Sequence, residues 1–410
     1  MKKIISLLLT LCLIFSLIAC SKTETGESNT TPEPVGNQTP EEKPNNSDND
    51  QKEEENPVDN PLNGSEIGAD KDPLKKFKIV YMYSNFTDKT GSQFKSCLEY
   101  IADDMNVEFV FVEGGYGEAA ISALESAVAA GDVDGILLQS APSSGLLNAS
   151  NGIPLMVVGN TPPSEEAAAE CATFPNYLGC ILENSYESGV LACDALYEAG
   201  CRNIGFAGLT QGMTSAADDR ARGFLDRAAE YADMNIVAED YSRGQYAAAV
   251  SSFAAAYPEM DGIYTTAGND SILNAIQSEG LIGQVKLACI DVTNSTGDFF
   301  ENGTQVWSGG GHYGTTQIAF AILYNYLADG TKIITDVNEP MRRHYLMIHD
   351  ADEFDTFAAV AEGDVPVYVG SEIKAMIHYF NEAVDTDYFV AVNEAYSIAD
   401  IATRHADLLK

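Results

Sequence analysis

Eight residues late in the chain, Trp307 to Gly314 (WSGGGHYG), contain a literal G-x-G-x-x-G at Gly309, Gly311 and Gly314. That spacing suits a strand-to-helix turn that cradles a pyrophosphate. A strand-like run precedes it and a long apolar, helix-like run follows. A dinucleotide fold, however, carries its glycines on the first strand-turn-helix, with an acidic residue about 20 positions on. The first such unit of this chain has none, so the glycines need another explanation. Arg220 is the second residue that could do chemistry. A surface ion pair within a helix needs a carboxylate three or four positions away. Those positions hold Ala216, Ala217, Gly223 and Phe224, which leaves its five-donor fork free for another partner. Arg222 reads as surface. No G-x-S-x-G, H-E-x-x-H, P-loop or EF-hand loop is present, and the five histidines lack metal spacing. Neither a catalytic constellation, a metal nor a cofactor is expected.

The chain ends and the charge bound the setting. Lys2, Lys3 and the apolar run from Ile4 to Ile18 form a secretory signal, too short for a stable membrane span. Its close, Leu17-Ile18-Ala19-Cys20, resembles the lipobox of bacterial lipoproteins, which implies that Cys20 is lipidated and becomes the mature N-terminus. Two acyl chains hold a soluble protein on a membrane where one barely does. Residues 21–73 carry 14 acidic and four basic side chains and almost no large apolar ones. They read as a disordered acidic tether. The whole chain has a net charge of −38. A surface of that sign is repelled by phosphate backbones, so nucleic acid is excluded as a partner. Beyond Cys12 and Cys20, the cysteines are Cys97, Cys171, Cys180, Cys193, Cys201 and Cys289, with no C-x-x-C among them. Cys171 and Cys180 flank a loop and could pair; small buried hydrophobes are the other reading.

The elements that must position any site alternate. Strand-like runs at 78–83, 107–112, 133–138 and 153–158 are separated by amphipathic helical stretches. After 179–182 the pattern restarts, with strands at 203–206, 236–239, 262–266 and 285–291 and helices between them. This β-α-β-α order predicts α/β architecture with parallel sheets and right-handed crossovers. The folded part is long for one sheet of this kind and suits two similar Rossmann-like lobes.

Five phrases carry a family likeness: VDGILL (133–138), GIPLMVVGN (152–160), SAADDRARGF (215–224), DGIYTTAGND (261–270) and KLACID (286–291). Together they resemble the type I periplasmic sugar-binding proteins, relatives of ribose-binding protein and of the ligand-binding core of the lac repressor family. The resemblance runs from Phe77 to about Ile348. It implies two lobes joined by a three-segment hinge, with a polar ligand enclosed at the C-terminal strand ends. Carried over residue by residue, it points to Asn85 and Phe86 after the first strand, Gln139 after the third and Asn160 after the fourth. In the second lobe it points to Arg220, Asn269 and Asp291. Many family members have Asp-Arg where this chain has Gly159-Asn160, a departure that speaks against a simple pentose or hexose. The glycine run falls where the family crosses back to its first lobe. Gly309, Gly310 and Gly311 are therefore expected to form hinge and cleft wall, with His312 and Tyr313 contributing contacts.

The expected organisation is a lipoprotein signal peptide (1–20), the tether (21–73), an N-terminal lobe (74–182 plus 310–338), a C-terminal lobe (183–309 plus 339–384) and an extension (385–410). Within the tail, 371–384 reads as an apolar helix. The resemblance implies an extracytoplasmic lipoprotein, monomeric and lipid-anchored, that delivers a small polar solute, a carbohydrate, to an ABC permease. A sensor that presents the same ligand to a receptor kinase is the alternative. A surface glycosidase would instead need two carboxylates facing each other, such as Asp88 and Asp291.

Overall fold

The computed structural model describes residues 60–63, 71, 74–241, 245–268 and 270–408. The expected signal peptide, Cys20 and most of the expected tether lie outside them. The first lobe runs through β1 (Phe77–Tyr83), α1 (Lys89–Ile101), β2 (Val107–Glu113), α2 (Glu118–Ala129), β3 (Gly135–Leu138), α3 (Ser144–Ala149), β4 (Leu155–Val158), α4 (Glu165–Cys171) and β5 (Tyr177–Glu183). The second comprises α5 (Ser185–Glu198), β6 (Asn203–Ala207), α6 (Ser215–Glu230), β7 (Asn235–Asp240), α7 (Tyr246–Ala256), β8 (Gly262–Thr265), α8 (Asp270–Ser278), β9 (Lys286–Ile290), α9 (Thr296–Glu301) and β10 (Gln305–Gly310). The chain then returns through α10 (His312–Asp329), β11 (Met341–Arg343) and β12 (Leu346–Ile348). It ends in α11 (Ala351–Ala361), α12 (Gly370–Ala375), α13 (Thr386–Glu394) and α14 (Ile398–Arg404).

Two six-stranded sheets result, ordered β11-β5-β4-β3-β1-β2 and β12-β10-β9-β8-β6-β7. All pairs are parallel except β10 with β12, where Ser308 faces Ile348. Every residue of β3 and β4 is buried. Helices cover both faces of such strands, which is why they read as unbroken apolar runs rather than alternating ones. Side-chain caps set the helix starts. Asp88 accepts from Gly91 N ahead of α1, and Thr214 accepts from Ala217 N ahead of α6. Helices α5 and α6 approach until their backbones nearly touch. A Cβ on Gly223 would lie 2.0 Å from the Tyr186 carbonyl oxygen, and one on Gly189 would lie 2.2 Å from that of Arg220.

The polypeptide passes between the sheets three times, at 183–185, 310–312 and 343–346. Two expectations change here. The tail after 339 does not belong to the second lobe as a block: β11 joins the first sheet and β12 the second. Helix α11 packs on α9 and β12, whereas α12 packs on α1 and α10, and α13 on β11. The physical reason is α10, which is buried without a break from Tyr313 to Asn325. A helix buried along its whole middle must be covered on the side away from its sheet as well, and the tail provides that cover. The helix expected at 371–384 ends at Ala375 and continues as turns. At the other end, the tether is not free up to residue 73. Leu62 is 4% exposed in the first-lobe core, and Asn60 Nδ2 donates to Asp400 at 2.8 Å.

Candidate functional site

The C-terminal strand ends of the two sheets face each other across a cleft of about 460 Å³. From the first lobe come Tyr83 after β1, Gln139 after β3, Asn160 after β4 and Glu183 at the end of β5. Phe94 and Tyr116 add aromatic wall. From the second come Thr214 and Arg220 at the start of α6, Ala267 after β8 and Asp291 after β9. His312 enters at the crossing between the lobes. The fold puts these residues together because parallel strands all end on the same edge, where backbone groups stop pairing and loops open.

Asp291 is held in an uncommon backbone conformation for a residue other than glycine, with φ at +74°. Its amide donates to the Gly309 carbonyl at 2.7 Å, and its own carbonyl accepts from Ser308 Oγ at 2.9 Å. The carboxylate meets His312 Nε2 at 2.5 Å. The other ring nitrogen lies 3.7 Å from Glu183 Oε1, close enough to act through charge but too long for a good hydrogen bond. Glu183 takes its hydrogen bond from Thr315 Oγ1, at 2.6 Å. His312 thus sits between carboxylates from opposite lobes. Burial alone would lower its pKa, but Asp291 and then Glu183 outweigh it and raise the ring to about 9. Burial would likewise raise both carboxylates. His312 outweighs it at each, with Arg220 assisting at Asp291 and Thr315 at Glu183, so both fall, Glu183 to about 2.

Arg220 is 8% exposed. Its Nη1 donates to the Thr266 carbonyl at 2.9 Å and its Nη2 to the Tyr345 hydroxyl at 2.6 Å. Tyr345 Oη, accepting there, has its own proton for Ser185 Oγ, 3.0 Å away. Arg220 Nε has no partner among the described residues. Across the cleft, the buried Tyr81 hydroxyl bonds to Gln139 Oε1, so the Gln139 NH₂ is the end left to donate to an occupant. Asn160 keeps only a long contact, 3.5 Å, to the Val158 carbonyl.

Five of the residues singled out from the sequence therefore line one cavity: Gln139, Asn160, Arg220, Asp291 and His312. Asn85 and Phe86 stand apart from its wall. Asn85 Oδ1 accepts from Thr87 N at 2.8 Å, closing a local turn. The Phe86 ring packs edge-on against Tyr81, Tyr83 and Phe111 at 5.3–5.7 Å. Tyr313 is 4% exposed behind the cleft. Asn269 lies outside the described residues. Of the glycines, Gly309 and Gly310 are ordinary members of β10, and only Gly311 needs a positive φ, +84°. The notch above Gly311 and Gly314 is occupied by the Tyr396 hydroxyl, not open to a pyrophosphate. Asp88 caps α1 and does not line the cleft that Asp291 lines. All six interior cysteines are buried and free, as small hydrophobes would be.

Sequence reasoning passed over Glu183 and Tyr345. Glu183 did carry a signal, a carboxylate ending the apolar run YLGCIL where the strand meets the cleft. Tyr345 had none, because its role depends on a crossing between lobes.

Two doubly wound lobes, three crossings and a polar cleft at the strand ends define a type I periplasmic binding protein. Residues 79–332 match the family described as "Periplasmic binding protein domain", and the chain belongs to that family. Its solved relatives are solute-binding proteins. A galactofuranose binding protein superposes with a TM-score of 0.59 at 18% identity, covering 68% of this chain and 96% of its own. A periplasmic solute binding protein of an ABC transporter from Actinobacillus succinogenes 130z, with bound D-allose, gives 0.59 at 17% identity (68% and 99%). One from Bacillus halodurans C-125 with bound myo-inositol gives 0.56 at 16% (70% and 99%). No curated protein matches the chain in sequence.

Proposed function

We propose that the chain is the solute-binding lipoprotein of an ABC importer, anchored through Cys20 on the outer face of the cell membrane. It takes one small polyhydroxylated solute, a sugar or cyclic polyol, between its lobes and hands it unchanged to a membrane permease. The observation that carries this reading is the cleft's polar inventory. Among the described residues the Arg220 Nε has no partner, the Gln139 amide is a donor in the same wall, and Asp291 is an acceptor held there on a strained backbone. Hydroxyl groups offer both donor and acceptor to such a set, and Tyr83, Phe94 and Tyr116 supply apolar surface for a ring face. The D-allose and the myo-inositol bound to two of the relatives support the same class. Binding from both lobes at once favours the closed form, because only closure brings all these contacts to one ligand.

The test is a thermal-shift and calorimetry panel of D-allose, D-fucose, D-tagatose, myo-inositol, a nucleoside and an amino acid. Ligand at about 100 times its Kd adds about 2.7 kcal/mol to stability, a shift of a few degrees for a chain of this size. A shift with a sugar or polyol that Asp291→Asn abolishes is the expected result. A shift with only the nucleoside or the amino acid would overturn the carbohydrate assignment.

A further inference from the structure

The C-terminal segment does more than cover α10. Tyr396, between α13 and α14, donates its hydroxyl to the Gly311 carbonyl at 2.9 Å. Gly311 is the residue that turns the chain from the second lobe back to the first, immediately before His312. The fit is specific to glycine on both sides: a Cβ on Gly311 would stand 2.8 Å from the Tyr396 oxygen, and one on Gly314 2.7 Å. Tyr396 also touches the third crossing. The Arg343 guanidinium, at the end of β11, lies over its ring at 3.5 Å and donates through Nη2 to the Tyr368 hydroxyl at 2.9 Å. Arg343 is 2% exposed, and its Nε and Nη1 have no partner among the described residues, where two rings rather than a carboxylate hold this buried cation.

The segment is fastened to both lobes. Gln317 Nε2 of α10 donates to the Tyr368 carbonyl at 2.7 Å, and Asn325 Nδ2 to that of Met376 at 2.8 Å, which ties it to the first lobe. Helix α11 packs on the second lobe, yet Glu362 at its end pairs with Lys89 of α1 at 3.0 Å.

We propose that the C-terminal segment is a brace across the hinge, in which Tyr396 is a positioning residue that acts through Gly311 to hold His312 between Asp291 and Glu183. The brace sets where the His312 ring stands in the unliganded protein. Asp291, Glu183, Tyr345 and Arg220 are ionisable groups around that ring, and the Lys89–Glu362 pair lines a small pocket with His312 and Asp291. Two of the three glycines at dinucleotide spacing, Gly311 and Gly314, thereby admit a tyrosine from the same chain.

The test needs no ligand and so stands apart from the functional proposal. In the mature chain labelled at histidine, the His312 ring is titrated by NMR in wild type and in Tyr396→Phe. Loss of the hydroxyl removes the shorter of two bonds to the Gly311 carbonyl and leaves it the 3.2 Å bond from Gly314 N. The expected result is a fall in the His312 midpoint of about one pKa unit or more. Gly314→Ala approaches from the opposite side, within a helix that tolerates alanine, by pushing the hydroxyl away; it should lower the midpoint in the same way. If Tyr396→Phe does not fold, Gly314→Ala decides. A His312 midpoint unchanged in the variants that fold overturns the proposal and leaves Tyr396 as packing only.

Discussion

Replacing His312 with glutamine keeps a polar side chain beside Asp291 and removes the charge. The wild-type ring is raised from an ordinary 6.5 to about 9. One pKa unit is worth about 1.4 kcal/mol, so protonated His312 contributes up to about 3 kcal/mol to folding. The ring is only 16% exposed, which limits screening, while Asp291 at 27% exposure reduces the value somewhat. A raised pKa gives stability that is complete below the unfolded value of about 6.5 and disappears as pH climbs through about 9. The depressed carboxylates work in the opposite window. Their share is complete above their unfolded values of about 4 and is lost as pH falls through the folded ones, about 2 for Glu183. The assay is urea unfolding of wild type and His312→Gln between about pH 5.5 and 9.5. The single tryptophan, Trp307, is buried in β10 and can report it. The stability difference between the two proteins should be largest near pH 6 and shrink steadily toward pH 9.5. A difference that stays constant over that range would show that His312 is not a paired imidazolium, and the electrostatic account of the cleft would fail.

Two further outcomes follow from the packing. Arg220→Met should abolish any ligand-induced thermal shift and also weaken the unliganded protein by about 1–3 kcal/mol in urea unfolding, because the Thr266 carbonyl and the Tyr345 hydroxyl lose a buried donor; an unliganded stability equal to wild type would mean that those bonds carry nothing. Gly223→Ala should cost a similar 1–3 kcal/mol by overpacking, since the added methyl meets the Tyr186 backbone at 2.0 Å rather than a movable side chain. A neutral effect in the same assay would show that α5 and α6 can separate freely.

Much of the architecture was legible in the chain. The runs FKIVYMY, GILL and LMVV are apolar on both faces, and such runs alternating with amphipathic helices fit little but a parallel sheet covered on two sides. Restarting that pattern after Glu183 divides the molecule into two lobes. Where residues sit at strand ends, their position followed as well. Gln139, Asn160 and Asp291 reach one cleft because parallel strands share a C-terminal edge. Asn85 and Phe86 also follow a strand, yet a local turn and an aromatic cluster draw them away from the wall, and no spacing rule distinguishes the two cases.

Sequence by itself determined the charge, the periodicity and the edge on which a site would form, because these depend on residue type and on neighbours within a few positions. It left open which side chains meet across the hinge. Asp291 and His312 are 21 residues apart, Glu183 lies far before both, and Tyr396 and Gly311 are 85 apart; none of these pairs leaves a local trace. Their meeting depends on three crossings and on a tail folded back over α10. A long-range contact between single residues has no period along the chain, so only the tertiary structure decided which groups share a proton and which tyrosine fills the glycine notch.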